Sequence, residues 1–251
     1  MYIDTHCHLS SMDYESIDDV ILENRKYKIE KMIISGCTRD TILESLDLSK
    51  KYEDVFVTIG YHPSEAALVN DDDLLLLEKQ ILEDKVVGIG EIGLDYHYGV
   101  DDVERQKKLF KRQLDIADKY HLPVVIHSRD ATKDTIDILL EYPNVVGDIH
   151  CFSGSIETAF IYISMGYKIG IGGVVTFKNS NLFKVVKEIG LDNILLETDA
   201  PYLTPEPYRG MKNSSKYIPV IAEKIADIID VSVNDVAKIT FNNAIRLFDL
   251  K

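Results

Sequence analysis

Tryptophan is absent from the 251-residue sequence, proline occurs seven times, and the three cysteines, Cys7, Cys37 and Cys151, are widely scattered. An odd, dispersed set builds no disulfide framework, which argues against a small secreted scaffold and for a reducing cytoplasm. No apolar run approaches the ~20 residues a membrane helix requires. No basic stretch leads into an apolar one at the N-terminus, so no signal peptide is expected. Positive charge is scarce too: 28 lysines and arginines stand against 42 acids, leaving a formal net charge of −14. Bulk electrostatics therefore do not draw this chain to nucleic acid, because phosphate is normally met by lysine and arginine. A phosphate-bearing ligand needs a local positive site, and divalent cations supply one.

The chain does have a regular alternation of elements. Short apolar runs occur at 2–6, 31–36, 55–60, 86–93, 123–127, 145–150, 167–173 and 193–199. They are near-continuously hydrophobic, as strands buried on both faces are. Segments of helical length lie between them, for example 15–28, 39–52, 101–120 and 180–190, and two more, 214–229 and 232–247, close the chain. Ser232, three residues before Asp235, supplies a capping pattern for the last of these. Eight strand–helix units in about 250 residues fit an α/β fold of the (β/α)8 or TIM barrel type, here with extra C-terminal helices. A doubly wound sheet fits less well, since no glycine fingerprint follows the first strand. No low-complexity linker interrupts the pattern, so residues 1–251 read as a single domain.

The opening MYIDTHCHLS sets His6 and His8 two apart in a strand, where they share a face while Cys7 points away. Other chemically capable residues stand at strand ends: His62 in GYHP, Glu91 in GIGEIG, His127 in VVIHSRD, His150 in GDIHCFSG and Asp199 in LLETDAP. In a barrel these ends form one rim, where catalytic residues gather. His97 and His121 fall elsewhere, the first in a loop and the second at a helix end, where an imidazole meets the last carbonyls. Four histidines (His6, His8, His127, His150) with Glu91 and Asp199 make six ligands. One catalytic zinc takes about three protein ligands, so six fit two divalent ions. Glu91 has two oxygens with which to bridge them, and Asp199 can bind an ion and take a proton from the nucleophilic water. Histidine suits zinc, whereas phosphoryl chemistry often uses magnesium or manganese, so all three metals stay open.

Local positive charge follows the same rim. Arg129 stands two residues after His127, and PYRGMKNSSK (207–216) carries Arg209, Lys212 and Lys216 with no acid. Glu197, two residues before Asp199, and Asp95 in EIGLDYH are candidates to orient metal ligands, with a structural carboxylate as the alternative for each. Tyr96, Tyr98, Phe152 and Tyr202 lie near strand ends, where an aromatic either packs or stacks on a base.

Together IDTHCHL, GYHP, GEIGLDY, PVVIHSRDA, IHCFSG and LLETDAPYL resemble the TatD family of metal-dependent hydrolases, within the amidohydrolase superfamily. The resemblance covers essentially the whole chain, as one TatD-like barrel domain. It implies a one- or two-metal site with His6, His8, Glu91, His127, His150 and Asp199 as ligands, and places His62 near the substrate phosphate. It also implies cleavage of phosphodiester bonds in DNA, often from the 3′ end. The acidic charge favours single-stranded ends over long duplex. After the last strand the family pattern P-x-P-x-R-G-K-x-N-x-P is only partly kept. Arg209, Gly210 and Asn213 hold their places, Met211 replaces the usual lysine and Ser215 the usual proline, and Lys212 is the shifted substitute. Two other readings remain: a carboxyl ester or amide hydrolase, such as a D-aminoacyl-tRNA deacylase, and a non-catalytic metal-binding barrel in an assembly. Nothing in the sequence calls for an obligate protein partner.

Overall fold

The computed structural model describes every residue except 98, 100 and 101, so Tyr98 lies outside the described residues. Its strands are β1 (Tyr2–Cys7), β2 (Ile29–Gly36), β3 (Val55–Ile59), β4 (Val86–Asp95), β5 (Val124–Arg129), β6 (Gly147–Ile149), β7 (Lys168–Ile171) and β8 (Ile194–Leu196). Helices α1 (Ile17–Lys26), α2 (Arg39–Lys51), α3 (Asp71–Gln80), α4 (Val103–Tyr120) and α5 (Thr132–Leu139) follow β1 to β5 in turn. Then come α6 (Ile156–Ser164), α7 (Leu182–Ile189), α8 (Ile218–Ile229) and α9 (Val233–Phe248). Strand order follows chain order from β1 to β8, the layout of a (β/α)8 barrel. All eight apolar runs of the sequence hold a strand. Among the described residues no helix is long and apolar enough to cross a membrane.

The chain forms two compact units. The first comprises Met1–Ile34 and His150–Lys251, the second Ser35–Ile149. In the first unit β1 pairs with β2 in parallel, Ile3 opposite Lys31 and Asp4 opposite Met32, and β7 pairs with β8. The opening and closing strands of the chain also meet there: Cys7 bridges to Ala200, and the His8 amide donates to the Ala200 carbonyl at 2.7 Å. Every residue of β1 is buried. Helix α7 buries Leu182, Val185, Val186 and Ile189, one stripe of a 3.6-residue period. Ser232 caps α9 as its spacing predicts, accepting from the Asp235 amide.

In the second unit β3, β4, β5 and β6 pair in parallel in that order. Helix α4 buries Leu109, Phe110, Leu114 and Ala117, and Gln106 and Gln113 lie among them. Two polar residues on an apolar stripe need partners, and both find them on the backbone at strand ends. His121, expected to meet helix carbonyls through its imidazole, caps α4 with its backbone amide instead, which points to the carbonyls of Ala117 and Asp118 from a left-handed residue at φ 55°.

Candidate metal centre

In the first unit Asp4 and His6 lie in β1 and His8 follows directly after it. Asp4 is fully buried. Its Oδ1 accepts from the amides of His6 (3.3 Å) and Thr198 (3.0 Å), and its Oδ2 from the Thr198 hydroxyl (2.6 Å). Burial pushes this carboxyl up to about 7, against the lowering by those hydrogen bonds. The His6 carbonyl receives the Asp199 amide at 3.0 Å. Asp4 and His6 thus tie the segment after β8 to β1, and Asp199 takes a left-handed conformation there, at φ 54°.

The result is a triangle of donors. His6 Nε2 and His8 Nε2 lie 3.1 Å apart, and Asp199 Oδ1 stands 3.6 Å from the first and 3.4 Å from the second. Ligands on a tetrahedral ion with bonds of ~2.0–2.1 Å are separated by roughly 3.3–3.4 Å. Two imidazoles and a carboxylate at that mutual spacing have the donor chemistry and the dimensions to hold a divalent metal. His150 joins them, its ring stacked on that of His6 with centroids 3.9 Å apart. His6, His150 and Asp199 each offer a ligand atom within 4.8 Å of the others.

Glu197 stands behind His150, where the sequence predicts an orienting carboxylate. It is fully buried. Its Oε1 accepts from the Cys151 amide at 2.6 Å, and its Oε2 lies 3.6 Å from His150 Nδ1. Burial raises the Glu197 carboxyl, while His150 beside it acts to lower it. Gly170 leaves room for this pair: a Cβ there would come within 2.6 Å of Glu197 Oε2.

The second unit gathers its own set. Glu91 was expected at the end of its strand but lies inside β4. Pairing with β5 runs on past it, through Ile92 opposite Ile126 to Asp95 opposite Arg129. Glu91 Oε1 is 2.7 Å from His127 Nδ1, and His127 Nε2 is 3.1 Å from Asp95 Oδ2. A carboxylate oxygen only accepts, so each contact requires a hydrogen on the facing nitrogen or a cation in its place. Burial acts to raise the Asp95 carboxyl, but hydrogen bonds from His127 and the His97 amide outweigh it and hold the group below its ordinary value. Gly93 is required for this approach: at φ 142° its Cβ position lies 2.0 Å from the His127 carbonyl oxygen. His62 sets its ring edge-on to His127, with centroids 4.7 Å apart. His62, Asp95 and His127 form a further group of potential ligands within 4.8 Å. The Ser64 amide donates to His62 Nδ1 at 3.2 Å, so the neutral ring carries its proton on Nε2.

Sequence reasoning missed the groups that hold these residues in place. Gln106 accepts from the Asp95 amide at 2.9 Å and donates to its carbonyl at 2.8 Å. Gln113 does the same at Tyr61, next to His62. Buried Asn213 serves the segment around Asp199, donating to the carbonyls of Thr198 and Tyr202 at 2.8 and 2.5 Å. Cys37, whose thiol points to Glu91 Oε2 at 3.7 Å, was also missed. The signal for the glutamines was present: polar residues at apolar positions of a helical period.

The remaining expectations divide. Arg209 is exposed and lies over the Phe177 ring at 4.1 Å from its centroid. Arg129 ends β5 as an exposed residue. Lys212, expected to stand in for the missing lysine, donates to the Asp13 carbonyl and lies over the Tyr14 ring. Lys216 pairs with Glu23. These two ammonium groups therefore have partners within their own unit. His97 is half exposed in a loop, its ring beside Asp130 and its amide donating to Asp95 Oδ1 at 2.9 Å. Of the candidate stacking aromatics, Tyr96 donates its hydroxyl to Asp134 and Phe152 is buried against Tyr162. Tyr202 is exposed.

A (β/α)8 barrel whose strand ends bear clustered histidines and carboxylates defines the class of metal-dependent hydrolases. The chain belongs to the TatD family within that class: residues 3–249 match the family described as TatD related DNase. It is 40% identical over 252 residues to YabD of Bacillus subtilis (strain 168), an "uncharacterized metal-dependent hydrolase", with 99% of each chain covered. YcfH of Escherichia coli (strain K12), described in the same words, is 34% identical over 256 residues, covering 99% of this chain and 96% of its own. The crystal structure of YjjV, the TatD homolog of Escherichia coli K12, superposes with a TM-score of 0.92 at 29% identity, over 100% of this chain and 98% of that one.

Proposed function

We propose that this protein, acting as one barrel domain in the reducing cytoplasm, cleaves phosphodiester bonds of DNA, taking single-stranded 3′ ends in preference to closed duplex. The observation that carries the reading is the donor triangle of His6, His8 and Asp199, with edges of 3.1, 3.6 and 3.4 Å. The family motifs mark His6, His8, Glu91, His127, His150 and Asp199 as ligands for two divalent ions, magnesium, manganese or zinc. When bound, such ions acidify a water and neutralise charge on the phosphate. The protein's own groups do the rest. Asp199 accepts the proton of the attacking water through its carboxylate, which is more exposed than the His6 ring. Glu91 would offer a second carboxylate to a bound ion. His62 donates its Nε2 hydrogen to a phosphate oxygen, a reading supported by the Ser64 amide on Nδ1. Arg209, over the Phe177 ring, and Arg129 are the cations offered to the phosphates. Glu197 and Asp95 orient His150 and His127.

The test is hydrolysis by metal-stripped protein refilled separately with magnesium, manganese and zinc. Each form receives a 3′-labelled single-stranded oligonucleotide, a closed circular duplex and a D-aminoacyl-tRNA. Metal-dependent nucleotide release from the single strand, lost in His127→Ala and Asp199→Ala, is the expected result. Equal cleavage of the closed circle removes the preference for ends. Deacylation without chain cleavage replaces the nuclease reading with an ester hydrolase. Metal binding with no turnover of any of the three substrates overturns the reading.

A further inference from the structure

Tyr202 is the most exposed tyrosine among the described residues, at 58%. Its ring meets that of His8, with centroids 6.4 Å apart and planes at 63°. The backbone beneath the ring is held on both sides. The Tyr202 amide donates to the Asp199 carbonyl at 2.8 Å, and the Tyr202 carbonyl accepts from Asn213 Nδ2. The Asn213 amide also donates to the Pro201 carbonyl at 3.1 Å, and Asn213 itself is fully buried. An apolar ring left in water on a fixed backbone is prepared for a flat partner, because it has little freedom left to lose on contact. The same short segment carries Asp199, whose carboxylate lies against His8, so whatever binds the donor triangle lies beside this ring.

We infer that Tyr202 is a stacking platform for a nucleobase, the base of the nucleotide whose phosphate is held at His6, His8 and Asp199. The inference rests on the phosphodiesterase reading and adds the base to it. A nucleobase is the flat group that accompanies a nucleic-acid phosphate, and every base has a π-face, so the contact gives affinity without sequence preference. The phenol hydroxyl is not needed for this role, but the ring is.

The probe is a single-stranded oligonucleotide ending in 2-aminopurine, whose fluorescence is quenched when the base stacks. It is titrated against wild type, Tyr202→Phe and Tyr202→Ala, each loaded with the metal that supports turnover or, failing turnover, with manganese. Steady-state hydrolysis is followed in parallel on an ordinary strand and on one whose terminal nucleotide is abasic. Wild type and Tyr202→Phe are expected to quench, and Tyr202→Ala is not. For the ordinary strand Tyr202→Ala raises KM about 5- to 150-fold, the range of one lost stacking contact, with kcat within about two-fold. For the abasic strand its KM matches that of wild type. Unchanged quenching in Tyr202→Ala, or an equal rise in KM on both strands, overturns the inference. Quenching that depends on Tyr202 without any hydrolysis keeps the platform and removes the proposed reaction.

Discussion

Gln113 holds Tyr61 by both of its peptide groups: Oε1 accepts from the Tyr61 amide at 2.7 Å, and Nε2 donates to the Tyr61 carbonyl at 3.0 Å. A side-chain amide thereby completes the backbone bonding of the residue before His62. Both partners are fully buried, so Gln113→Leu leaves a donor and an acceptor without bonds in an apolar setting. Each such group costs about 1–3 kcal/mol, and a loss of about 2–4 kcal/mol in unfolding free energy is expected by urea denaturation. Because His62 is the next residue, the variant should also raise KM for an oligonucleotide more than it lowers kcat. Unaltered stability would show that the clamp is dispensable.

Metal removal should lower stability and restore it on refilling. His6, His8 and Asp199 bring three lone-pair donors within 3.6 Å of one another, and a cation binding the folded chain but not the unfolded one stabilises it by mass action. Scanning calorimetry of chelator-treated protein, with and without manganese or zinc, is expected to show a midpoint rising with metal concentration. In Asp199→Asn the rise should shrink. His127 meets carboxylates at both ring nitrogens, so metal uptake there displaces hydrogen. Protons released in unbuffered solution would register it, and apparent affinity should fall as pH falls.

The alternation of apolar runs with helical segments made the barrel legible, because strands buried on both faces leave a plain hydrophobic signature. The donor triangle was legible in part: His6 and His8 are two apart at the first apolar run, and Asp199 closes the last one, although β8 itself ends earlier, at Leu196. What the sequence hid was depth. Glu91 sits inside β4 because parallel pairing continues to Asp95, and no local composition marks where that pairing stops. The clamps of Gln106, Gln113 and Asn213 were hidden for another reason. Each bonds to backbone 11 to 52 positions away, and backbone groups carry no sequence signal. The partners of Lys212 were likewise invisible, since the Asp13 carbonyl lies 199 positions away.

An acid-sensitive contact lies in the second unit, outside the ligand groups. Asp73 accepts from Arg39 Nε at 2.6 Å and Nη2 at 2.5 Å, and also from the Asn70 amide at 2.8 Å as part of the α3 capping box. Arg39 holds this carboxyl below its usual value. A carboxyl whose folded pKa is depressed binds fewer protons folded than unfolded. Its stabilisation is therefore present above the unfolded value near 3.8 and is lost as pH falls toward the folded one. Thermal unfolding from pH 3 to 7 should show Asp73→Asn lowering the midpoint most at neutral pH and least at pH 3. A uniform offset across that range would assign the effect to the helix cap instead.

Asn213 keeps the place that the family resemblance gives it although Met211 and Ser215 do not, and the structure offers a reason. It is fully buried, and through Nδ2 it bridges the carbonyls of Thr198 and Tyr202 on either side of Asp199, while its Oδ1 accepts from the Ser214 amide at 2.9 Å. Met211 bonds through its backbone carbonyl to the Thr204 hydroxyl, a contact that does not depend on its side chain, so its exchange is expected to be tolerated where that of Asn213 is not. Asn213→Asp tests this closely, since it keeps the size and the acceptor but removes the two donated bonds and buries a negative charge facing two carbonyl oxygens. A loss of several kcal/mol is expected, near the range of about 3–5 kcal/mol seen when a buried charge loses its partner. Asn213→Ala removes the bonds without adding the charge, and should cost about 1–3 kcal/mol. In both variants metal content after equilibrium dialysis should fall, because Asp199 is no longer fixed against His6 and His8. Met211→Lys, by contrast, should leave metal content unchanged. If both Asn213 variants lose stability but retain full metal content, Asp199 is positioned by Asp4 and His6 alone.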